Sequence, residues 1–214
     1  MHMSLKIGII GFGGMAHWHA TNASKIEGVD FVAAYDVDEK QLQSAQEEFG
    51  MRPCRTLEEL LSIPEINFVL VATPNQIHKD MVIAALRAGK NVLCEKPASV
   101  RYDLAQQMAD AAHETGKILN IGVVNRFNNA VNALRDDVLA GKLGSVYHVY
   151  CSFRAHRSIP GLGGPFTTKE LAGGGVLIDW GVHYLDLINY VLDIREVKTV
   201  SGACYSKLGS PMRD

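Results

Sequence analysis

An acid and an imidazole interrupt the apolar segment GGGVLIDWGVHYLDLINYVL, which begins at Gly173. Asp179 and His183 are four residues apart, so a helical conformation places both side chains on one face. Such a pair can transfer a proton, form a buried structural ion pair, or supply two ligands to a metal ion. Because the sequence suggests no third ligand, we predict no metal site and retain the other two interpretations.

A lysine in the segment VLCEKPAS is a further candidate for chemistry. Lys96 follows a short apolar run that is typical of a buried strand, with Glu95 before it and Pro97 after it. At the carboxyl end of a parallel strand the ammonium group would face a ligand cleft, where it can donate to a substrate hydroxyl or exchange a proton with it. An ordinary surface lysine at a strand end fits the tripeptide equally well.

The segment IGIIGFGGMAHWHA has the pattern of a dinucleotide-binding turn, with Gly11, Gly13 and Ala16 in the order G-x-G-x-x-A. It follows the first apolar run and opens a helical pattern, so the helix N-terminus offers N–H groups to a pyrophosphate. Gly11 permits the tight turn, and Gly13 lets the pyrophosphate approach the backbone. The residues predicted to bind the dinucleotide here are Gly11, Phe12, Gly13, Gly14 and Met15.

Asp36 supplies the acid that such a site requires, 25 residues after Gly11 and at the end of the second apolar run. A carboxylate at this position accepts hydrogen bonds from the ribose hydroxyls of the adenosine and repels a 2′-phosphate. Val37, which follows it, offers no cation to such a phosphate, and Lys40 is interpreted as a solvated helix residue. The predicted cofactor is therefore NAD, and NADP is less favoured.

The third and fourth strands should end at the same edge of the sheet, where ligands bind in doubly wound folds. The residues predicted to contact the cofactor at this edge are Thr73, Pro74, Asn75, His78, Glu95 and Lys96. A surface position at a helix N-terminus is an equal alternative for His78. His17 and His19, in the first helix, are interpreted as packing and surface residues rather than ligands.

An alternation of strands and helices positions these candidates and extends from residue 5 to about residue 122. Five short apolar runs are predicted as strands: LKIGIIG, DFVAAYD, NFVLVAT, NVLCEK and KILNIGV. Longer amphipathic segments between them are predicted as helices. Near-continuous apolar strands indicate a parallel sheet covered on both faces, so residues 1–124 are predicted to form a doubly wound α/β domain.

The pattern changes after residue 124, and residues 125–214 are predicted to form a second, partial α+β domain. FNNAVNALRDDVLAGKLG is predicted as a helix, SVYHVYCSFRA as a strand, and VKTVSGACYS as a last strand after the helix that carries Asp179 and His183. Two strands alone would leave exposed edges. We therefore expect this domain to be incomplete within these residues.

Composition narrows the function classes. The 214 residues carry a formal net charge of −2 and are 47% hydrophobic, which is typical of globular domains with a substantial core. The near-neutral charge argues against nucleic acid or a membrane surface as partner, and no apolar run is long enough to span a bilayer. Four scattered cysteines without a CxxC pair, together with the lack of a signal-peptide pattern, predict a cytoplasmic location.

The sequence resembles the N-terminal portion of the Gfo/Idh/MocA oxidoreductases, the family of glucose–fructose oxidoreductase and inositol dehydrogenase. The resemblance runs from about residue 5 to residue 205 and is carried by GFGGMA, ATPNQIH, CEKP, GVVNRFNNA and GGGVLIDWGVHYLD. It implies a Rossmann domain followed by a domain with an open, mostly antiparallel sheet. It also implies a cis peptide bond between Lys96 and Pro97 and association into a homo-oligomer, a dimer or tetramer.

The same resemblance implies the catalytic roles. Lys96, Asp179 and His183 would gather around the reacting carbon of a sugar, polyol or cyclitol, whose hydride passes to NAD. His183 would take the hydroxyl proton, Lys96 would stabilise the alkoxide, and Asp179 would bind substrate or orient the other two. A redox-neutral, NAD-dependent glycosidase and a non-catalytic NAD-binding regulator are the alternatives. Regulators of this kind usually lose part of the lysine, aspartate and histidine set, which this chain retains.

Three further residues are predicted near the substrate. The resemblance places Asn125 and Arg126 beside the cleft, where they would contact substrate or brace Glu95. Arg154, in the segment FRAHRS, would bind a polar or acidic substrate or belong to a solvated loop.

Overall fold

The computed structural model describes residues 4–154, 168–203 and 205. Its six strands form one parallel sheet in the order β3-β2-β1-β4-β5-β6. They are β1 (Leu5–Ile10), β2 (Val29–Tyr35), β3 (Arg52–Cys54), β4 (Phe68–Val71), β5 (Asn91–Cys94) and β6 (Leu119–Ile121). The order reverses between β1 and β4, and this switch point is where a doubly wound sheet binds its ligand.

Eight α-helices occur within the described residues. They are α1 (Gly14–Ala23), α2 (Glu39–Phe49), α3 (Leu57–Leu61), α4 (His78–Arg87), α5 (Tyr102–Thr115), α6 (Asn129–Leu139), α7 (Lys169–Ala172) and α8 (Val182–Leu192). Short 3₁₀ turns precede α4 and α6, at Asn75–Ile77 and Val124–Phe127, and a π-helical turn, Leu177–Gly181, leads into α8.

Alternate residues of the central strands supply two apolar cores, one on each face of the sheet. Ile10, Val69 and Val71 belong to one cluster, whereas Ile9 and Leu70 belong to the other. Because side chains alternate across a strand, near-continuous apolar strands must bury both faces, and helices cover both. The predicted doubly wound α/β fold is confirmed.

The edge strand β3 and the short helix α3 that follows it were not predicted from the sequence. β3 consists only of Arg52, Pro53 and Cys54, and it pairs with β2 alone. A three-residue strand with a proline has neither an apolar run nor a clear alternation, and proline is tolerated because the strand lies at the edge of the sheet.

The two strands predicted in the second domain are not present in the described residues. Residues 145–154 and 194–203 have no regular secondary structure, and an isolated strand without partners is not stable in water. Phe153 instead stacks on Trp180, with ring centroids 4.5 Å apart. α6 packs against α8, where the Tyr190 hydroxyl donates to Asn132 Oδ1 at 2.7 Å.

The predicted domain boundary, between residues 124 and 125, stays a prediction. No helix in the described part of the chain is long and apolar enough to cross a membrane. The cysteines described, Cys54, Cys94 and Cys151, are free thiols.

Candidate active site

The turn after β1 has the shape that a pyrophosphate requires. Gly11 has a φ of +85°, and a Cβ there would lie 2.8 Å from Thr73 Cγ2 and 3.0 Å from the Ala72 backbone. Only glycine fits this close approach between the ends of β1 and β4. Gly13 is the N-cap of α1 and supplies no capping side chain, and a Cβ added there would meet nothing within 4 Å. Because the first amide groups of a helix have no intrahelical acceptor, and no capping side chain occupies this end of α1, an anion can bind there.

Asp36 is tied to this turn, as expected of an acid at the end of β2. Its Oδ2 accepts from the Phe12 N–H at 2.7 Å and its Oδ1 from the Asp38 N–H at 2.8 Å. The carboxylate keeps lone pairs for ribose hydroxyls, since each oxygen can accept more than one bond. The Phe12 side chain, by contrast, is fully buried among the core residues. Phe12 therefore offers a nucleotide no side chain, and Met15 remains half exposed beside it.

Substitution of Asp36 by Asn should weaken NAD binding and reduce discrimination against NADP. The isosteric amide can still accept from the Phe12 N–H, but it loses the charge that repels a 2′-phosphate. We expect the Kd for NAD to rise on the order of 10-fold to 100-fold, the cost of charge-assisted hydrogen bonds. Calorimetric titration with both nucleotides checks this. Asp30→Asn, in β2 and paired with Lys6 at 2.7 Å, is the matched control. An unchanged ratio of the two affinities in Asp36→Asn would contradict the assignment.

The residues after β4 divide between the cleft and the scaffold. Thr73 Oγ1 is buried and has no hydrogen-bond partner among the described residues, whereas Pro74 is exposed. Asn75 Nδ2 donates to the Ala172 carbonyl at 3.2 Å, so this side chain fixes α7 against the strand end. The unpaired Thr73 hydroxyl fits an edge of the sheet that binds a ligand, since buried polar groups normally have a hydrogen-bond partner.

His78 is neither a cleft residue nor a surface residue. It is fully buried, and its ring nitrogens lie 2.8 Å from the Pro97 carbonyl oxygen and 2.9 Å from the Thr73 carbonyl oxygen. Both predicted placements are therefore corrected, since His78 has no free nitrogen for a nucleotide and bridges the loops after β4 and β5. Its position at the inward-facing start of α4 explains the burial.

The segment after β5 holds Glu95 and Lys96 at the same edge. Glu95 is 8% exposed, and its Oε2 accepts from the Lys96 N–H at 3.1 Å. Its other oxygen, Oε1, lies 2.7 Å from His19 Nε2. Glu95 is thus bonded within the protein on both oxygens. The predicted cis peptide between Lys96 and Pro97 is confirmed.

Lys96 and Asp179 form an ion pair between the sheet edge and the segment before α8. Lys96 Nζ donates to Asp179 Oδ1 at 2.8 Å and to the Asp179 carbonyl oxygen at 3.1 Å. Gly173, the first residue of the glycine run, permits a close approach here, since an added Cβ would clash with Val100 Cγ1. This contact seats the glycine run directly on the loop after Lys96.

His183 lies in the first turn of α8, just after the π-helical turn that contains Asp179. Its Nδ1 is buried and has no hydrogen-bond partner in the described ranges. Burial and the charge of Lys96 lower the pKa of His183, although the nearby carboxylates of Asp179, Glu95 and Asp186 oppose the shift. The ring is therefore neutral at pH 7, which is the state that accepts a proton.

The three further residues predicted near the substrate, Asn125, Arg126 and Arg154, differ in burial and in the contacts that they make. Arg126 forms a bidentate ion pair with Asp186, at 2.9 and 2.5 Å, and lies over the Tyr190 ring. It therefore braces α8 and not Glu95, which corrects that alternative. Asn125 is half-buried in the same 3₁₀ turn, and Arg154 is exposed. The rest of the loop that contains Arg154, residues 155–167, lies outside the described residues.

A parallel sheet in the order 3-2-1-4-5-6, with a glycine turn and an acid at its switch point, defines a dinucleotide-binding protein. The chain belongs to the GFO/IDH/MocA oxidoreductases: residues 5–123 match the model of the oxidoreductase family with an NAD-binding Rossmann fold, and residues 131–211 match the GFO/IDH/MocA C-terminal domain. The predicted family and the NAD-binding Rossmann class are confirmed.

Proteins similar to this chain have names that describe dehydrogenases of sugars and inositols. D-glucoside 3-dehydrogenase of Escherichia coli strain K12 is 35% identical over 96% of this chain and 59% of its own length. Inositol 2-dehydrogenase of Acidothermus cellulolyticus is 30% identical over 99% of this chain and 61% of its own length. The crystal structure of GenD2 from gentamicin A biosynthesis, in complex with NAD, superposes with a TM-score of 0.79 at 31% identity over 90% of this chain and 55% of that one. The chain thus spans somewhat more than half the length of these relatives.

Proposed function

We propose that this chain contains the cofactor site and the catalytic residues of an NAD-dependent dehydrogenase that acts on a secondary alcohol of a sugar, polyol or cyclitol. The observation that carries the proposal is the Lys96–Asp179 ion pair at 2.8 Å, at the sheet edge that also holds the glycine turn. The names of the relatives support this substrate class. The small-molecule substrate, the homo-oligomer and the cytoplasmic location remain predictions.

The proposed mechanism divides the work between three side chains. His183, held neutral by burial and by Lys96, takes the hydroxyl proton as general base. The Lys96 ammonium donates to the oxygen on which negative charge develops. Asp179 holds Lys96 in place through both its carboxylate and its carbonyl oxygen. Bound NAD, held by Gly11, Gly13, Gly14 and Asp36, would supply the hydride acceptor.

Turnover of the full natural chain tests the proposal. The protein is incubated with NAD and a panel of glucosides, anhydro sugars and inositols, and NADH is followed by its absorbance. Sustained NADH formation with at least one polyol is the expected result. Glycoside cleavage without net NADH would favour the redox-neutral glycosidase. NAD binding without either reaction, on a panel that covers these classes, would favour the regulator.

A further inference from the structure

A histidine of the first helix contacts the buried carboxylate beside Lys96. His19 Nε2 lies 2.7 Å from Glu95 Oε1, and the two side chains are 23% and 11% exposed. The bond links α1 to the end of β5, between residues 76 positions apart. His17, two residues earlier, makes a comparable 2.8 Å pair with Glu48, but those side chains are more exposed, at 42% and 49%. Of the two histidines of α1, therefore, only His19 contacts the buried carboxylate beside Lys96.

The surroundings of Glu95 keep its carboxyl group ionised. Burial raises the pKa of Glu95, but the hydrogen bonds from His19 and from the Lys96 amide, with the charges of both residues, outweigh it, so the pKa lies below its ordinary value. Gly122 borders the carboxylate on another side, where an added Cβ would lie 3.4 Å from Oε1. A carboxylate accepts only, so the His19 nitrogen that faces it carries the proton.

An anion buried at this place acts on its neighbours through a low local dielectric. Among the described residues, the charges that act on His183 are those of Lys96, Asp179, Glu95 and Asp186. The carboxylate of Glu95 opposes the effect of the Lys96 ammonium on the ring. Its second oxygen, at the same time, holds the Lys96 N–H at 3.1 Å. Glu95 thus contacts Lys96 directly, and its charge affects the pKa of His183.

We propose that His19 is a positioning residue for the reaction: it holds the Glu95 carboxylate against the Lys96 amide, and so fixes both the place of Lys96 and the position of the carboxylate charge that acts on His183. This inference rests on the proposed function of Lys96 and His183. A histidine that merely fastened α1 to the sheet would affect stability, yet it would change neither the titration of His183 nor the turnover of the folded protein.

Two variants of His19 and one of Glu95 test the proposal in the full natural chain. His19→Leu removes the donor, whereas His19→Gln restores an N–H donor near the same place. We expect His19→Leu to lower kcat by ~10- to 100-fold, the effect of a small misplacement of a catalytic group, and His19→Gln to recover most of it. The Kd for NAD, measured by calorimetry, should change little. His17→Leu is the matched control and should keep the wild-type kcat.

The Glu95→Gln variant supplies a readout that needs no turnover. The pKa of His183 is followed by NMR of protein with ¹³C-labelled histidine, with the signal assigned from a His183→Asn sample. Removal of the carboxylate should shift the titration of His183 to lower pH. An unshifted titration in folded Glu95→Gln, or a His19→Leu kcat equal to that of His17→Leu, overturns the proposal. If the protein neither binds NAD nor oxidises a polyol, the proposed function fails, whereas the titration still decides whether the Glu95 charge reaches His183.

Discussion

Replacement of Lys96 by Met should abolish most of the turnover while the protein still binds NAD. Methionine keeps an unbranched chain of similar length but removes the ammonium that donates to Asp179 and, in the proposed mechanism, to the substrate oxygen. Loss of such a donor at the site of developing charge lowers kcat by roughly 10²- to 10⁴-fold. Steady-state kinetics with NAD and the best polyol substrate, together with a calorimetric Kd for NAD, check the prediction.

Two further variants separate chemistry from stability. Lys25→Met changes an exposed lysine after α1 and should retain the wild-type kcat. Lys96→Arg keeps a cation that can pair with Asp179, so it should fold even where Lys96→Met does not, yet it places the charge differently. The role of Lys96 would be refuted by a folded Lys96→Met that turns over at the rate of Lys25→Met.

The elements that position this site could be predicted where local patterns decide them. The glycine turn, the acid after β2 and the apolar strands carry their own signals, since strand burial and turn chemistry depend on neighbours in sequence. β3 escaped prediction because a three-residue edge strand is defined by its pairing with β2 and by no pattern of its own. The second-domain strands were predicted from alternation, but alternation does not supply the partner strands that a sheet needs.

Contacts between distant segments account for what could not be predicted at the site itself. His19 and Glu95 are far apart in sequence, and a histidine in a helical pattern is ordinarily a packing or surface residue. His78 was predicted at the cleft or the surface, but the carbonyls of Thr73 and Pro97 hold it inside. Arg126, for which a contact with Glu95 was one of the predicted alternatives, instead forms an ion pair with Asp186 on α8. The sequence shows which side chains can form bonds, but the tertiary fold determines which partner each one meets.

Replacement of His183 by Asn should remove both the turnover and its dependence on pH in the acid range. Burial and Lys96 lower the pKa of His183, so the wild-type general base stays neutral until the pH falls below the ordinary histidine value of about 6.5. Activity should therefore be retained at pH 6.5 and lost at lower pH, as the ring becomes protonated. In His183→Asn, kcat should fall by roughly 10²- to 10⁴-fold and the acid limb should disappear.

The charge of Lys96 provides a second, independent test of the role of His183, through the direction in which the pKa of His183 shifts. Because the ammonium lowers the pKa of His183, its removal in Lys96→Met should raise that pKa and move the acid limb of the residual activity to higher pH. His113→Asn, at an exposed position in the last turn of α5, is the matched control and should leave the profile unchanged. Profiles of kcat/KM against pH for the four proteins decide the matter. An acid limb that persists in His183→Asn assigns the proton transfer to another group, and a limb that moves to lower pH in Lys96→Met contradicts the electrostatic coupling between the two residues.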